Sequence, residues 1–431
     1  MAGTTGLEPA TSDVTGRRSN QTELRPRSGG SLRSVTKISQ PGPVTLIWKA
    51  VKITAIDTFI AGNPWKNWLF ARVSTDEGIH GVGEGTLNYF GRTVEAAIHE
   101  LSPLILGMDP FQVETISQKL IRDVYSEGAQ IHMCAVSAIE IALWDIIGKA
   151  TNQPIYNLWG GRCHGKLRAY ANGWYRGPRT PESFAEKAKI VAGRGYTALK
   201  FDPFGNNWRM LPRPEFDLSL DIITAVREAV GEKVDLLIEG HCRFNVATAV
   251  EFAMAMHHLR PAWFEEPVPH TNTMAMVEVA RRSPVPIATG ESLSSKQQFA
   301  DLLQHNAVSI LQPEPLNLGG LFATRKIADM VDAHYGVIAP HSAQGPICSA
   351  ACVQLNASLP NFFIHEIFDE FNEPWEKHIV THPVEVIDGY IKVPEAPGLG
   401  TDLNLEEIAS HPYRQENSLP LFKPGWEKRS R

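Results

Sequence analysis

The chain has 431 residues, of which 43% are hydrophobic and 20% are charged, and its formal net charge is -6. This composition is typical of a globular protein with a large buried core, and the lack of a basic excess argues against a nucleic-acid partner. Five scattered cysteines without a CxxC pair favour reduced thiols. The sequence contains no run of 18 apolar residues, which is the length that a membrane span requires. We therefore expect a cytoplasmic protein that is not attached to a membrane.

The first segment, residues 1–45, is rich in Gly, Ser, Thr, Arg and Pro and shows no apolar periodicity. It lacks the hydrophobic stretch that a signal peptide requires, so we expect a disordered leader. A basic targeting arm is the alternative, but Glu8, Asp13 and Glu23 interrupt its positive charge and no amphipathic helix accompanies it.

Residues 46–166 combine strand patterns with helical patterns, which predicts an α+β domain. The strand patterns cover residues 51–59, 67–75 and 80–84, and the helical patterns cover residues 113–125 and 135–149. The most apolar stretch, residues 133–150, carries Glu140, Asp145 and Lys149. These charges predict a buried amphipathic helix rather than a membrane span.

Residues 167–368 consist of short apolar runs that alternate with helical patterns, which predicts repeated βα units in an α/β fold. Eight runs occur, at residues 167–171, 198–202, 235–239, 262–266, 286–290, 309–313, 335–340 and 362–366. Seven helical patterns lie between them, for example residues 181–193, 216–230 and 295–305, and none follows the eighth run. Eight βα strands predict a barrel. Residues 369–431 carry a further strand pattern at 389–393 and are expected to return to the first domain.

Three neighbouring strands of the predicted barrel end in a carboxylate. Glu239 ends the third run, Glu265 lies at the end of the fourth, and Glu291 directly follows the fifth. The carboxyl ends of barrel strands meet at one mouth, so we expect these side chains to converge. Three such carboxylates repel one another unless a hard cation binds them, and all-oxygen ligation favours Mg2+ over zinc. Salt bridges at the barrel rim are the alternative for each glutamate taken alone.

The sixth and seventh strands end near Glu314 and His341, one βα unit apart. A carboxylate bound to one imidazole nitrogen fixes the tautomer and raises the basicity of the other, so we interpret His341 as a general base oriented by Glu314. His241, two residues after Glu239, is suited to be the general acid for a leaving hydroxyl. A structural histidine is the alternative in both cases.

Three further polar residues close barrel strands and are predicted to face the substrate: Lys200, Asp202 and Glu366. Lys200 would offset the charge of a substrate carboxylate, and Glu366 would form a hydrogen bond with an enolate oxygen. The set is suited to removing the proton next to a carboxylate, because the metal and Lys200 would stabilise the resulting enediolate.

The motifs ALKFDP, LLIEGH, WFEEP, ATGES, QPEPLNLGG and APHSAQGP resemble, in order and spacing, those of the enolase superfamily and its mandelate racemase subgroup. That subgroup includes sugar-acid dehydratases such as galactonate and gluconate dehydratase. The resemblance runs from about residue 51 to 413. It implies a modified (β/α)7β TIM-type barrel under an α+β capping domain. It also implies the metal ligands, the His341 and Glu314 dyad, and Glu366 as an electrophilic partner.

The resemblance also implies that capping-domain loops select the substrate, here residues 62–68 and 87–92. Trp65 and Trp68 are candidate lid residues, with packing as the alternative. The family's racemases commonly carry a second lysine where this chain has Asp202, so racemisation by two bases is disfavoured.

Two more departures from the family pattern concern side-chain length. Glu239 and Glu314 stand where the family commonly has aspartate, which is one methylene shorter. A histidine at the place of His241 resembles the acid of galactonate-type dehydratases. The resemblance therefore implies a homo-oligomeric, Mg2+-dependent dehydratase that converts a small aldonic or aldaric acid to a 2-keto-3-deoxy acid. A racemase or epimerase of an α-hydroxy acid and a non-catalytic sugar-acid-binding relative are the alternatives.

Overall fold

The computed structural model describes residues 51–125, 129–371 and 373–428. The predicted leader, residues 1–45, lies outside the described residues. The described chain begins with an antiparallel sheet of three strands, β1 (Ile53–Asn63), β2 (Lys66–Thr75) and β3 (His80–Glu84). Four helices follow: α1 (Gly91–Leu101), α2 (Val113–Arg122), α3 (Ala129–Thr151) and α4 (Ile155–Leu158). This part matches the predicted α+β arrangement of strands and helices.

Helix α3 lies directly against strand β3, and two glycines permit the contact. A Cβ atom on Gly83 would lie 1.9 Å from the carbonyl oxygen of Ala138, and one on Gly81 would lie 2.0 Å from that of Ala142. Helix α3 is long and apolar enough to resemble a membrane span, but 83% of its most apolar window is buried inside the protein. It is therefore the core helix that the charges at Glu140 and Asp145 predicted.

Eight parallel strands form the barrel: β4 (Lys166–Ala171), β5 (Ala198–Phe201), β6 (Asp235–Glu239), β7 (Trp263–Glu265), β8 (Ile287–Thr289), β9 (Ile310–Leu311), β10 (Val337–Ile338) and β11 (His365–Ile367). They pair in chain order, and β11 pairs with β4. A parallel bridge between Ile338 and Phe362 joins β10 to the segment before β11 and closes the barrel.

Seven helices surround the barrel: α5 (Pro181–Gly193), α6 (Arg213–Val230), α7 (Val246–Met256), α8 (Thr273–Arg282), α9 (Lys296–Leu303), α10 (Leu321–Ala333) and α11 (Pro346–Ala357). Short 3-10 turns follow β11 where an eighth outer helix would lie. The predicted modified (β/α)7β barrel with a capping domain is therefore confirmed. Helix α6 begins three residues before its predicted start, because Pro214 in its first turn is compatible with a helix.

Residues inside the barrel follow the two-residue period of a β-strand. One interior layer contains an apolar or aromatic side chain from each strand: Tyr170, Ala198, Leu237, Trp263, Ala288, Ile310, Ala339 and Ile364. Successive side chains of a strand point to opposite faces, so the residue two positions later also faces the barrel axis. On seven strands that residue is polar: Asn172, Lys200, Glu239, Glu265, Gln312, His341 and Glu366. The strand period therefore aims this polar set at the barrel mouth.

The C-terminal segment contacts first the barrel and then the capping domain. After the short strand β12 (Val386–Ile387), strand β13 (Tyr390–Lys392) pairs antiparallel with the start of β4. Further along, Asp402 lies 2.8 Å from His80 and 3.1 Å from Lys149, before helix α12 (Leu405–Ser410).

Helix α3 is fixed to the barrel through buried polar contacts with the turn after β9. Ser137 Oγ lies 3.0 Å from the carbonyl oxygen of Pro315 and 2.8 Å from that of Leu316, and it accepts the N–H of Gly319 (3.0 Å). Glu140 accepts the backbone N–H groups of Leu321 (2.8 Å) and Phe322 (2.9 Å), which begin helix α10. A carboxylate at a helix N-terminus is stabilised by these otherwise unpaired donors.

We predict that Glu140→Gln lowers the free energy of unfolding. Both carboxylate oxygens of Glu140 accept N–H groups: Oε2 accepts that of Leu321, and Oε1 accepts those of Phe322 and Trp144 (2.9 Å). The amide of a glutamine would therefore direct its NH2 group at one of these donors. The expected loss is about 1–3 kcal/mol, measured by urea denaturation.

The matched control is Glu114→Gln, which breaks a half-exposed pair with Lys326 at the same interface. Its expected loss is below about 1 kcal/mol. Equal losses in the two variants would contradict this account of Glu140.

Candidate metal and substrate site

Glu239, Glu265 and Glu291 converge at the barrel mouth. Each offers one carboxylate oxygen, and these three oxygens all lie within 4.8 Å of one another. Glu239 and Glu265 are direct neighbours in the register of strands β6 and β7. Glu291 departs from the two-residue period, because Gly290 has a φ of +131° and turns the chain away from strand β8. The structure thus brings together the three residues that strand ends predicted.

Lys200 is the buried cation next to this cluster. Its Nζ lies 2.6 Å from Glu265, 2.8 Å from Glu366 and 3.5 Å from Glu239. Burial opposes its charge, but these carboxylates outweigh burial and hold the pKa of Lys200 well above its usual value.

The donor set fits a hard divalent cation. Burial and then the charge of Glu265 raise the pKa of Glu239 well above its usual value, because Lys200 offsets only part of the negative charge. All three groups supply oxygen, which Mg2+ and similar ions prefer. Glu239, Glu265 and Glu291 could therefore hold a metal ion.

Glu266, next to Glu265, is not part of this cluster. Its Oε1 accepts Thr289 Oγ1 and the N–H of Gly290, both at 2.8 Å, and its Oε2 faces the thiol of Cys242. Burial followed by the charge of Glu291 raises the pKa of Glu266 to about 7. Adjacent glutamates of one motif therefore have separate surroundings.

His341 and Glu314 form the predicted pair. Nδ1 of His341 lies 2.6 Å from Glu314, and its Nε2 lies 3.4 Å from Glu291 and 3.9 Å from Glu366. The Nε2 atom therefore faces the carboxylate cluster. Burial lowers the pKa of His341, but the charges of Glu291 and Glu366 and the bond to Glu314 outweigh it and raise that pKa to about 10. A cation bound to Glu291 would reduce this negative potential.

His241 reaches the same cavity from strand β6. Its backbone N–H donates to Glu239 (2.6 Å), and its φ of +46° lies in the left-handed region. Nδ1 of His241 lies 2.5 Å from Asp202. The contact to Glu239 links the candidate acid directly to the metal cluster.

Asp202 has different surroundings from those predicted. It is fully buried and lies 2.6 Å from Arg243 as well as against His241, behind the wall of the cavity. Burial raises the pKa of Asp202, but Arg243 and then His241 outweigh it and hold that pKa below its usual value. These contacts suit Asp202 to orienting His241. Asp202 does not line the cavity that the other candidates share, and its contact with substrate stays a prediction.

Glu366 is also fully buried, between the strands that flank the barrel closure. Its Oε1 accepts from Asn172 (2.9 Å) and Lys200, and its Oε2 accepts the N–H of Ser342 (2.7 Å). Burial opposes ionisation, but Lys200 and then His341 lower the pKa of Glu366 to about 2. An ionised carboxylate places negative charge beside Lys200 and His341 and has no proton to donate, so these surroundings do not favour the predicted hydrogen bond to an enolate oxygen.

A cavity of about 180 Å³ joins these groups. Lys200, Glu239, His241, Glu291 and His341 line its inner part. Lys66 and Asn88 line it from the predicted specificity loops, residues 62–68 and 87–92. Sequence reasoning missed eight further lining residues: Asn172, Tyr175, Ala343, Gln344, Phe368, Leu419, Leu421 and Trp426. Asn172 lies at the end of the first barrel strand, where the same strand-end rule would have found it.

Of the two candidate lid residues, only Trp65 lines the cavity, where its ring packs 4.8 Å from that of Phe368. Trp68 is buried and donates to the carbonyl oxygen of Gln344, so its surroundings fit the alternative role in packing. Lys66, between them, donates to the carbonyl oxygen of Ala343 (2.5 Å). Burial lowers the pKa of Lys66, against the raising effect of Glu314 and Glu84.

Comparison with known proteins identifies the family. Residues 49–160 match the mandelate racemase / muconate lactonizing enzyme N-terminal domain, and residues 183–408 match the enolase C-terminal domain-like family. The chain is 34% identical to a D-gluconate dehydratase of Thermoproteus tenax over 366 residues, covering 84% of this chain and 73% of that one. It is 32% identical to a D-gluconate/D-galactonate dehydratase of Picrophilus torridus over 382 residues, covering 87% and 97%.

Among solved structures, a mandelate racemase/muconate lactonizing enzyme from Jannaschia sp. CCS1 matches with a TM-score of 0.80 and 34% identity, over 84% of this chain and 98% of that one. The barrel with its capping domain defines an enolase-superfamily protein. The chain belongs to the mandelate racemase / muconate lactonizing enzyme family. The resemblance inferred from the motifs is thereby confirmed.

We predict that Glu239→Gln weakens binding of Mg2+ or Mn2+, because it removes one of three converging carboxylate charges. The expected loss of affinity is at least about tenfold, measured by isothermal titration calorimetry. Glu251→Gln is the control, since this exposed glutamate of helix α7 lies outside the cluster and should leave the affinity unchanged. Equal affinity in the Glu239 variant and the wild type would contradict the metal site.

Proposed function

We propose that this protein is a Mg2+-dependent hydro-lyase that dehydrates an aldonic or aldaric acid to a 2-keto-3-deoxy acid. The observation that carries the proposal is the single small cavity that joins the carboxylate cluster, Lys200, His341 and His241. The relatives named as gluconate and galactonate dehydratases support the same reaction and substrate class.

The first step would be removal of the proton next to the substrate carboxylate. Glu314 holds Nδ1 of His341, which leaves Nε2 to accept that proton. Lys200 offsets the charge that develops on the substrate carboxylate as the enediolate forms. Mg2+ held by Glu239, Glu265 and Glu291 would supply Lewis-acid stabilisation of the same charge.

The second step would be loss of the hydroxyl from the neighbouring carbon. His241 would give a proton to the leaving hydroxyl from Nε2, since Asp202 occupies its Nδ1. Water then leaves, and the enol product becomes the 2-keto acid. Arg243 contacts the same Asp202 oxygen, Oδ2, and so fixes the carboxylate that orients the imidazole.

Racemisation or epimerisation is the close alternative, and non-catalytic binding of a sugar acid is the more distant one. The position where a second lysine base would stand is Asp202, which is buried behind His241. A paired acid and base on one cavity favour elimination over simple binding.

We further propose that the protein acts on a free small molecule in the cytoplasm as a homo-oligomer, without a nucleic-acid or membrane partner. The net charge of -6 supports the absence of a nucleic-acid partner, and five cysteines without a disulfide support the cytoplasmic compartment. The homo-oligomeric state rests on the family resemblance alone. Light scattering of the purified protein would test the oligomeric state.

We predict that the purified protein with Mg2+ forms a 2-keto acid from at least one five- or six-carbon aldonate or aldarate. Semicarbazide absorbance detects the product, EDTA should abolish it, and added Mg2+ should restore it. His341→Asn should lower the rate by about 10²–10⁴-fold, because general-base catalysis is lost. Stereochemical inversion without a keto acid would instead establish an epimerase.

We predict that His241→Asn separates the two steps. Keto-acid formation should fall by about 10²–10⁴-fold, while exchange of the α-hydrogen in D2O persists, because His341 is intact. Proton NMR follows both signals in one sample. His258→Asn, an exposed residue after helix α7, is the control and should change neither. Loss of exchange together with product in the His241 variant would refute its role as the acid.

A further inference from the structure

The last described residues cross the barrel mouth, and we call residues 416–428 the C-terminal cover. Trp426 Nε1 donates to the carbonyl oxygen of Gly205 (3.1 Å), in the loop after strand β5. The N–H of Gly177, in the loop after strand β4, donates to the carbonyl oxygen of Glu427 (2.9 Å). The cover is therefore attached to two of the loops that surround the candidate active site.

The cover separates two cavities. The inner cavity of about 180 Å³ contains the catalytic candidates, and an outer cavity of about 480 Å³ lies beside it. Three residues line both cavities: Trp65, Leu419 and Trp426. These side chains form the wall between the two spaces, and we call them the partition.

The partition is held in place from both domains. Trp426 is 4% exposed, and its ring lies edge-to-face with His241, at 6.2 Å between centroids. Trp65, from the turn between β1 and β2, is 6% exposed and packs on Phe368. Each tryptophan thus packs on a residue that itself lines the inner cavity, and these contacts fix its position in the wall.

The two cavities differ in what they could accept. Ligand pockets commonly measure about 300–1,000 Å³, so the inner cavity alone is small. The outer cavity is bordered by the charged side chains of Arg176, Glu416 and Lys423, which suit a hydroxyl-rich group. A substrate that occupied both would have to pass through the partition.

We propose that the partition determines substrate length: it restricts the enzyme to single sugar acids and excludes acids that carry a second sugar at the distal end. The inference rests on the proposed dehydratase function. The substrate carboxylate lies with the metal cluster and Lys200, so the distal carbon of a six-carbon acid points towards Trp65, Leu419 and Trp426. Aromatic and aliphatic surfaces contact the C–H groups of this end and offer no space beyond it.

The test compares D-gluconate with gentiobionate, which is D-gluconate carrying a glucose on O6, as substrates of the full-length protein with Mg2+. If the wild type dehydrates another aldonate, that acid and its glucosyl derivative at the terminal hydroxyl are used. Wild type should act on the single acid and not measurably on the extended one. Trp426→Ala should lower this preference in kcat/KM by at least about tenfold, because the two cavities merge.

Leu419→Ala is a second variant that opens the same wall with a smaller loss of packing, and it decides the question if the Trp426 variant fails to fold. Trp208→Ala is the matched control. Trp208 packs on Phe422 of the cover, at 5.0 Å between ring centroids, and does not line either cavity. It should leave the preference unchanged.

A wild type that dehydrates gentiobionate as well as gluconate would overturn the inference, as would an unchanged preference in the folded partition variants. Both results leave the proposed dehydratase function intact. Failure to dehydrate any aldonate or aldarate would refute the proposed function itself and would show at the first, wild-type measurement.

Discussion

The structure depends on bringing several carboxylates into one buried barrel mouth. Like charges in a low-dielectric interior repel strongly, and an ionised group that loses water must gain a partner. Lys200 is such a partner for Glu265 and Glu366, but its single positive charge does not also balance the negative charges of Glu239 and Glu291. The remaining negative charge is what makes a divalent cation the fitting occupant of the cluster.

The capping domain lines the cavity with Trp65 and also supports the catalytic pair from outside the cavity. Ser137 on helix α3 contacts the turn that follows Glu314, and the N–H of Leu316 in that turn donates to Glu314 itself (3.1 Å). The carboxylate that orients His341 is therefore held by a turn that the other domain supports. Packing between the domains and the geometry of the base are parts of one arrangement.

Much of the site could be predicted from sequence because barrel strands have a two-residue period and end at one mouth. Lys200, Glu239 and Glu265 follow directly from those two rules. Glu291 required one more observation, since Gly290 shifts it off the period.

Other features could not be predicted, because they depend on contacts between distant segments. Asp202 is buried against Arg243 and His241. The left-handed backbone of His241 is one such feature, because no residue pattern around Glu239 predicts it. The approach of Trp426 to His241 joins residues about half the chain apart. The sequence predicted that the C-terminal segment returns to the first domain, but it did not predict that residues 416–428 then cross the barrel mouth.

The most direct measurement of the central claim is a crystal structure with Mn2+, located by its anomalous scattering. The account predicts one strong peak at the barrel mouth, about 2.0–2.2 Å from an oxygen of each of Glu239, Glu265 and Glu291, with His341 beside it. The absence of an anomalous peak at the barrel mouth at saturating Mn2+ would contradict the account, as would an ion that is bound by other residues.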